Sequence, residues 1–150
     1  MDAIDKSILK LLQENARMPI KDIAAKVALS SPAVSTRIAK LEREGLIRGY
    51  EVCLDREKLG YLITAYVEVE MEPSLKPKFH KEIENCKNVL ECCGVTGQYS
   101  QILKAAFRTT RDLEAFLSRV QTYGKTSTHI VLSPHVPARD HLLDAAETET

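Results

Sequence analysis

Ile23-Ala24-Ala25-Lys26-Val27-Ala28-Leu29-Ser30-Ser31-Pro32-Ala33-Val34-Ser35-Thr36-Arg37-Ile38 holds two short helical patterns with a brief joint between them. Before the joint, Ile20, Ile23, Ala24 and Val27 recur at helical spacing behind Pro19, a residue tolerated at a helix start. After it, Ser30 is a natural N-cap, Pro32 lies in the first turn, and Val34, Ile38 and Leu41 fall at i, i+4 and i+7. The joint, Ala28-Leu29-Ser30, is short; small Ala24 lets the helices cross closely and Leu29 plugs the corner. This is the spacing of a helix-turn-helix. Glycine is usual at such a turn because the backbone there often needs positive φ. Ala28 stands in its place, at about 1 kcal/mol if the left-handed conformation is required.

The flanks extend the pattern. Upstream, Ile4, Ile8, Leu11 and Leu12 make one apolar stripe, with Asp2 as N-cap and Asp5 favourably placed in the first turn, and the helix ends near Asn15. Downstream, the third helix runs to about Glu44 and stops at Gly45. Residues 46–55 then alternate as a strand does, and a strand directly after such a helix reads as a wing that would bring Arg48 to a nucleic-acid backbone. Residues 56–60 form a turn, and the domain boundary is expected at Gly60.

Turned away from its buried stripe, the third helix shows Pro32, Thr36, Ala39, Lys40 and Arg43, with Arg37 on one flank and Ser35 on the other. Hydroxyls and small side chains in the first half allow close approach to base edges, and long cations on later turns reach phosphates. The expected duplex-DNA face is therefore Ser30, Ser31, Pro32, Ser35, Thr36, Arg37, Lys40 and Arg43, with Arg48 on the wing. A solvated helix face that binds nothing shows the same charges. Net charge over the whole chain is zero, but residues 1–50 carry nine Lys and Arg against six acids, net +3, and residues 61–150 ten against twelve, net −2. The sign of that asymmetry suits a DNA module joined to a neutral-to-acidic partner.

Residues 61–135 alternate strands and helices. Strands are expected over 62–72, 89–95, 102–107 and 126–132, and helices over 75–86 and 111–123, the second closed by Gly124. The order β-α-β-β-α-β is that of a ferredoxin-like sandwich, one sheet covered by two helices on one face. Residues 136–150 read as a tail with a short helix over 140–146. The fold class expected is α+β, a winged helix-turn-helix followed by a ferredoxin-like domain.

Other classes have little to stand on. No stretch is apolar enough for a membrane span, and the acidic start Met1-Asp2-Ala3-Ile4-Asp5 is unlike a signal peptide, which predicts a cytoplasmic protein. Cys53, Cys86, Cys92 and Cys93 include no Cys-x-x-Cys pair, and His80, His129, His135 and His141 are scattered, so no metal site and no cofactor is expected.

The run Asp5-x-x-Ile8-Leu9, Asn15-Ala16-Arg17, Ile23-Ala24, Leu29-Ser30, Val34, Arg37-Ile38, Leu41-Glu42, Gly45-Leu46-Ile47, Gly49-Tyr50, Leu54-Asp55 and Leu59-Gly60 resembles the leucine-responsive regulator/asparagine regulator (Lrp/AsnC) family. The resemblance continues through the second half. It implies a transcription regulator that pairs through its sheets into homodimers, with the wing strand linking the modules, and assembles further into octamers. It also implies a small-molecule effector, usually an amino acid, bound between dimers near Gly97, Gln98, Tyr99, Ser100 and Gln101, with Thr126, Ser127 and Thr128 contributing. The family commonly has Asp where Ser100 stands, able to hold a ligand's ammonium group; a serine supplies no such charge. Residues 97–101 also read as a simple hairpin turn. An enzyme is the alternative, since some tetrapyrrole decarboxylases resemble this family in both domains. It would need His and Arg side chains gathered around carboxylates, and Arg108, Arg111, Arg119 and His129 are the residues available.

Overall fold

Asp2 and Asp5 open the first helix by capping each other. Asp5 N donates to Asp2 Oδ1 (2.8 Å) and Asp2 N to Asp5 Oδ2 (3.1 Å), so two of the unpaired amides at a helix start find acceptors. The structure, a computed structural model, describes residues 1–136 in two compact units, Met1–Cys53 and Leu54–Val136. The helix expected over 140–146 lies outside the described residues.

The first unit holds α1 (Ala3–Glu14), α2 (Ile20–Lys26) and α3 (Ser31–Arg43). Ile8, Ile23, Ala24 and Val34 are buried between them, with Ile4, Leu11, Leu12, Val27, Leu29 and Ile38 packed around. Each fully buried Ile or Val contributes roughly 1.5–3 kcal/mol. At the joint, Ala28 takes φ 53°, the left-handed conformation that glycine usually supplies at such a turn. The turn it makes lets Leu29 N donate back to Ala24 O (3.0 Å). The end of α3 repeats this geometry with glycine: Gly45 has φ 74°, Gly45 N donates to Glu42 O and Leu46 N to Leu41 O, both 3.0 Å.

The strand expected over 46–55 is not formed; these residues join no ladder among the described strands. The physical reason is that a strand is defined by its neighbour, and nothing among the described residues pairs with this one. Its apolar side chains are left in solvent, Val52 at 81% and Leu54 at 64% exposure.

The second unit is a four-stranded antiparallel sheet in the order β2-β3-β1-β4, made of β1 (Ile63–Met71), β2 (Val89–Gly94), β3 (Gln101–Phe107) and β4 (Gly124–Ile130). A 3₁₀ turn (Pro73–Leu75) leads into α4 (Lys76–Glu84), and α5 (Thr110–Val120) joins β3 to β4. Alternation places Ala65, Val67 and Val69 of β1 with Leu103, Ala105 and Phe107 of β3 on one face, where Phe79, Ile83, Leu113, Phe116 and Val120 of the helices cover them. The other face carries Tyr66, Glu68, Ile102, Lys104, Ser127 and His129, and neither helix lies over it. Gly124, expected to close α5, instead opens β4. A Cβ there would sit 1.9 Å from Glu70 O, so only glycine allows the strands to meet at this point.

Candidate nucleic-acid interface and effector turn

Ser30 Oγ accepts from Ala33 N (3.4 Å), starting α3 where the sequence places it. Val34 and Leu41 are buried and Ile38 half-buried, so the opposite side of the helix is turned to solvent. Pro32, Ser35, Thr36, Lys40 and Arg43 all lie on that exposed side, and Ser31 is half-buried at its edge. Ser35 Oγ donates to Ser31 O (3.0 Å) and Thr36 Oγ1 to Pro32 O (2.9 Å). Each hydroxyl proton is thus engaged within the helix, and the outward lone pairs remain to accept from a base amino group or a water. Lys40 Nζ is 3.9 Å from Glu44 Oε1, an exposed i,i+4 pair that a phosphate can displace. Glu42 is drawn aside by the Tyr50 hydroxyl (3.0 Å); partial burial and then this contact raise the phenol above its usual pKa.

Arg37 requires a correction. Its Nη1 lies 2.7 Å from both Asp2 Oδ2 and Asp5 Oδ1, and Asp5 is only 2% exposed. The guanidinium braces α3 against the start of α1 instead of standing on the flank of the expected DNA face. The amide of Asp5 and then Arg37 hold the Asp2 carboxyl below its ordinary value; the amide of Asp2 and then Arg37 do the same for Asp5. Their two carboxylates push the Arg37 guanidinium further up. The capping pair Asp2 and Asp5 is legible in sequence, but nothing local announces a partner more than thirty residues away. Arg48 is exposed just beyond the end of α3.

The residues expected to hold an effector lie at one end of the sheet without converging. Gly97 turns the β2–β3 hairpin at φ 111°, and Gln98 Nε2 donates to Glu70 Oε2 (3.4 Å). Tyr99 is half-buried, and the Ser100 hydroxyl is buried with no partner among the described residues. Gln101 pairs with Val69, and Val69 on its other side pairs with Thr126. One strand therefore separates the hairpin from β4, a gap of about 10 Å at the usual strand spacing. Thr126 Oγ1 accepts from Gln121 Nε2 (3.2 Å), Thr128 pairs with Val67 on the helix-covered face, and Ser127 Oγ lies 3.2 Å from His129 Nε2 on the open face. Gln101 turns inward: it is 4% exposed, with Oε1 3.2 Å from His80 Nε2. That contact between α4 and β3 has no sequence signal beyond the strand's alternation.

The four residues available to an enzyme are dispersed. Arg108 lies over the Tyr61 ring (4.9 Å), Arg119 on α5 is beside Cys86, Arg111 opens the same helix, and His129 faces Glu68 (3.2 Å) on the far side of the sheet. Among the described residues no group of three His, Cys, Asp or Glu could hold a metal ion, and no helix is long and apolar enough to cross a membrane.

Comparison with known proteins bears on both units. Residues 1–48 match the family described as winged helix-turn-helix DNA-binding, and residues 64–140 the Lrp/AsnC ligand binding domain. A transcriptional regulator of the helix-turn-helix type from Pyrococcus furiosus is 35% identical over 135 residues, 88% of this chain and 91% of the relative. The solved structure of LrpC from Bacillus subtilis superimposes with a TM-score of 0.86 at 27% identity, covering 92% of this chain and 99% of that one. The leucine response regulatory protein LrpA of Mycobacterium tuberculosis does so with 0.81 at 28% identity, over 94% and 99%.

Proposed function

The chain belongs to the Lrp/AsnC family of transcription regulators, and from that premise we propose that it reads duplex DNA with the exposed side of α3 and answers to a small effector bound by its second unit. It is a DNA-binding regulator rather than an enzyme, as its relatives are. The observation that carries the finer reading is the composition of one helix face. Hydroxyls at 35 and 36 lead, cations at 40 and 43 follow, and the apolar stripe is turned into the bundle. Ser35 and Thr36 are short enough to meet base edges in a major groove, while Lys40, Arg43 and Arg48 reach the backbone.

One such helix makes few base contacts, so a homodimer spanning half-sites about one helical turn apart is the working unit. Two features support it. The unladdered stretch 46–55 has an alternating pattern that a second copy can complete, and among the described residues nothing covers the open sheet face. Pairing of dimers into an octamer is the further assembly proposed. The effector is an amino acid or similar metabolite near Gly97, Gln98, Tyr99, Ser100 and Gln101, with Thr126, Ser127 and Thr128. The Ser100 hydroxyl, without a partner among the described residues, is a group there that a ligand could satisfy.

Fragments of the host genome selected by the protein supply the DNA for a test. Lys40→Ala should weaken binding to every fragment and lower the slope of log K against log salt by about 0.9, one phosphate contact. An unchanged slope would remove Lys40 from the backbone contacts and with it the proposed docking of α3.

A further inference from the structure

Of the four cysteines, Cys86 is the one with a cation at its sulfur. Arg119 Nη2 lies 3.8 Å from Cys86 Sγ, and among the described residues no carboxylate sits within ion-pair distance of that guanidinium. Its charge is therefore left for the sulfur. The other three thiols differ. Burial pushes Cys92 above its usual range, and the Glu91 carboxylate, then burial, does the same for Cys93. Cys53 is exposed, with no hydrogen-bond partner among the described residues. Reactive cysteines combine a neighbouring cation with partial access to solvent, and half-buried Cys86 meets both conditions.

Access comes through a cleft of about 460 Å³ between α4 and the edge strand β2, which Cys86 lines together with Cys92, Gln101 and Gly94. A donor waits in it. Gln101 is only 4% exposed, and its Oε1 lies 3.2 Å from His80 Nε2 and 3.6 Å from Cys92 Sγ. Its amide nitrogen has no acceptor among the described residues, and a Cβ on Gly94 would stand 3.7 Å from it. A buried donor is costly to leave unmatched, so an oxygen entering the cleft has a partner ready. Glu84 and Glu91 also line the cleft, and their charge favours an uncharged oxygen compound over an anion.

We propose that Cys86 is a site of oxidation by hydrogen peroxide, admitted through this cleft. One peroxide oxygen accepts from Gln101 Nε2 as the molecule enters. The sulfur electron pair forms an S–O bond while the O–O bond breaks, so sulfur is oxidised to a sulfenic acid and the peroxide is reduced. The departing hydroxide takes up the proton that the thiol gives up and leaves as water. Arg119 stabilises the negative charge as it passes from sulfur to the departing oxygen. The proposal does not depend on which effector the second unit takes, or on whether it takes one.

The full-length protein is treated with hydrogen peroxide in the presence of dimedone, which traps sulfenic acids. Mass spectrometry then follows the free thiol and the adduct at each cysteine. Cys86 should lose its thiol at least about threefold faster than exposed Cys53 and should carry the adduct. A smaller ratio, or no adduct at Cys86, overturns the proposal. Arg119→Met removes the guanidinium from an exposed position. It should slow Cys86 about threefold or more while the Cys53 rate and the circular dichroism hold. An unchanged Cys86 rate in that variant overturns the proposal as well. Oxidised glutathione, an anion, should modify Cys53 ahead of Cys86, since Glu84 and Glu91 turn it away. The reverse order would mark a thiol open to any oxidant and overturn the cleft's preference for peroxide. The wild-type rates decide the matter even if the arginine variant does not fold.

Discussion

Ala28 and Arg37 show what single residues contribute to the DNA-binding unit. Ala28 holds the turn before α3 at φ 53°, a conformation that crowds any Cβ and costs about 1 kcal/mol. Ala28→Gly should therefore raise stability by about 1 kcal/mol in urea unfolding with the slope unchanged. Arg37 acts through charge. Asp5 is held below its ordinary carboxyl value of 3.8, first by the amide of Asp2 and then by Arg37, so folding favours its ionised form. The sign follows by linkage: the stabilisation is full above the unfolded value and is lost as pH falls through the lower folded one. Thermal melts from pH 6 down to pH 2 should show wild type losing stability below about pH 4, and Asp5→Asn should remove part of that slope. Arg37→Lys, which keeps the charge but not the planar guanidinium whose Nη1 meets both carboxylates, should be less stable than wild type and should not rescue Arg37→Ala fully.

At the scale of elements, the two ends of α3 and the succession of strands and helices along the second unit were legible because each is written locally. Ser30 with Pro32, Gly45 after Arg43, and the alternation of Ala65, Val67 and Val69 all state their conformation within a few residues. The wing was not, since alternation over 46–55 shows a capacity to pair and leaves the partner unstated. Gly124 was misread for a similar reason: a glycine after a helical pattern usually ends it, but here the need is a contact with Glu70 across the sheet. Of the site, the exposed face of α3 followed from periodicity, whereas the Arg37 brace and the inward turn of Gln101 depend on residues distant in sequence. Gly124→Ala tests the close approach directly. It should cost about 3 kcal/mol through displacement of β4 from β1, seen as a lowered melting temperature and faster amide exchange in both strands.

For the whole molecule, the proposed homodimer is what would give DNA recognition its second half-site. Val52 at 81% and Leu54 at 64% exposure are apolar groups that a lone subunit gains nothing by presenting. Val52→Asp should weaken the dimer at least about tenfold in analytical ultracentrifugation while the monomer's circular dichroism is kept. Loss of cooperative DNA binding should accompany it. On the proposed docking the first two turns of α3 read base sequence, and selection of bound sequences from a random DNA pool puts this to the test. Wild type and Thr36→Asn should enrich different bases at one position in each of two symmetric half-sites, with the flanking positions unchanged. Enrichment of the same sequence by both proteins, with only the affinity altered, would contradict it.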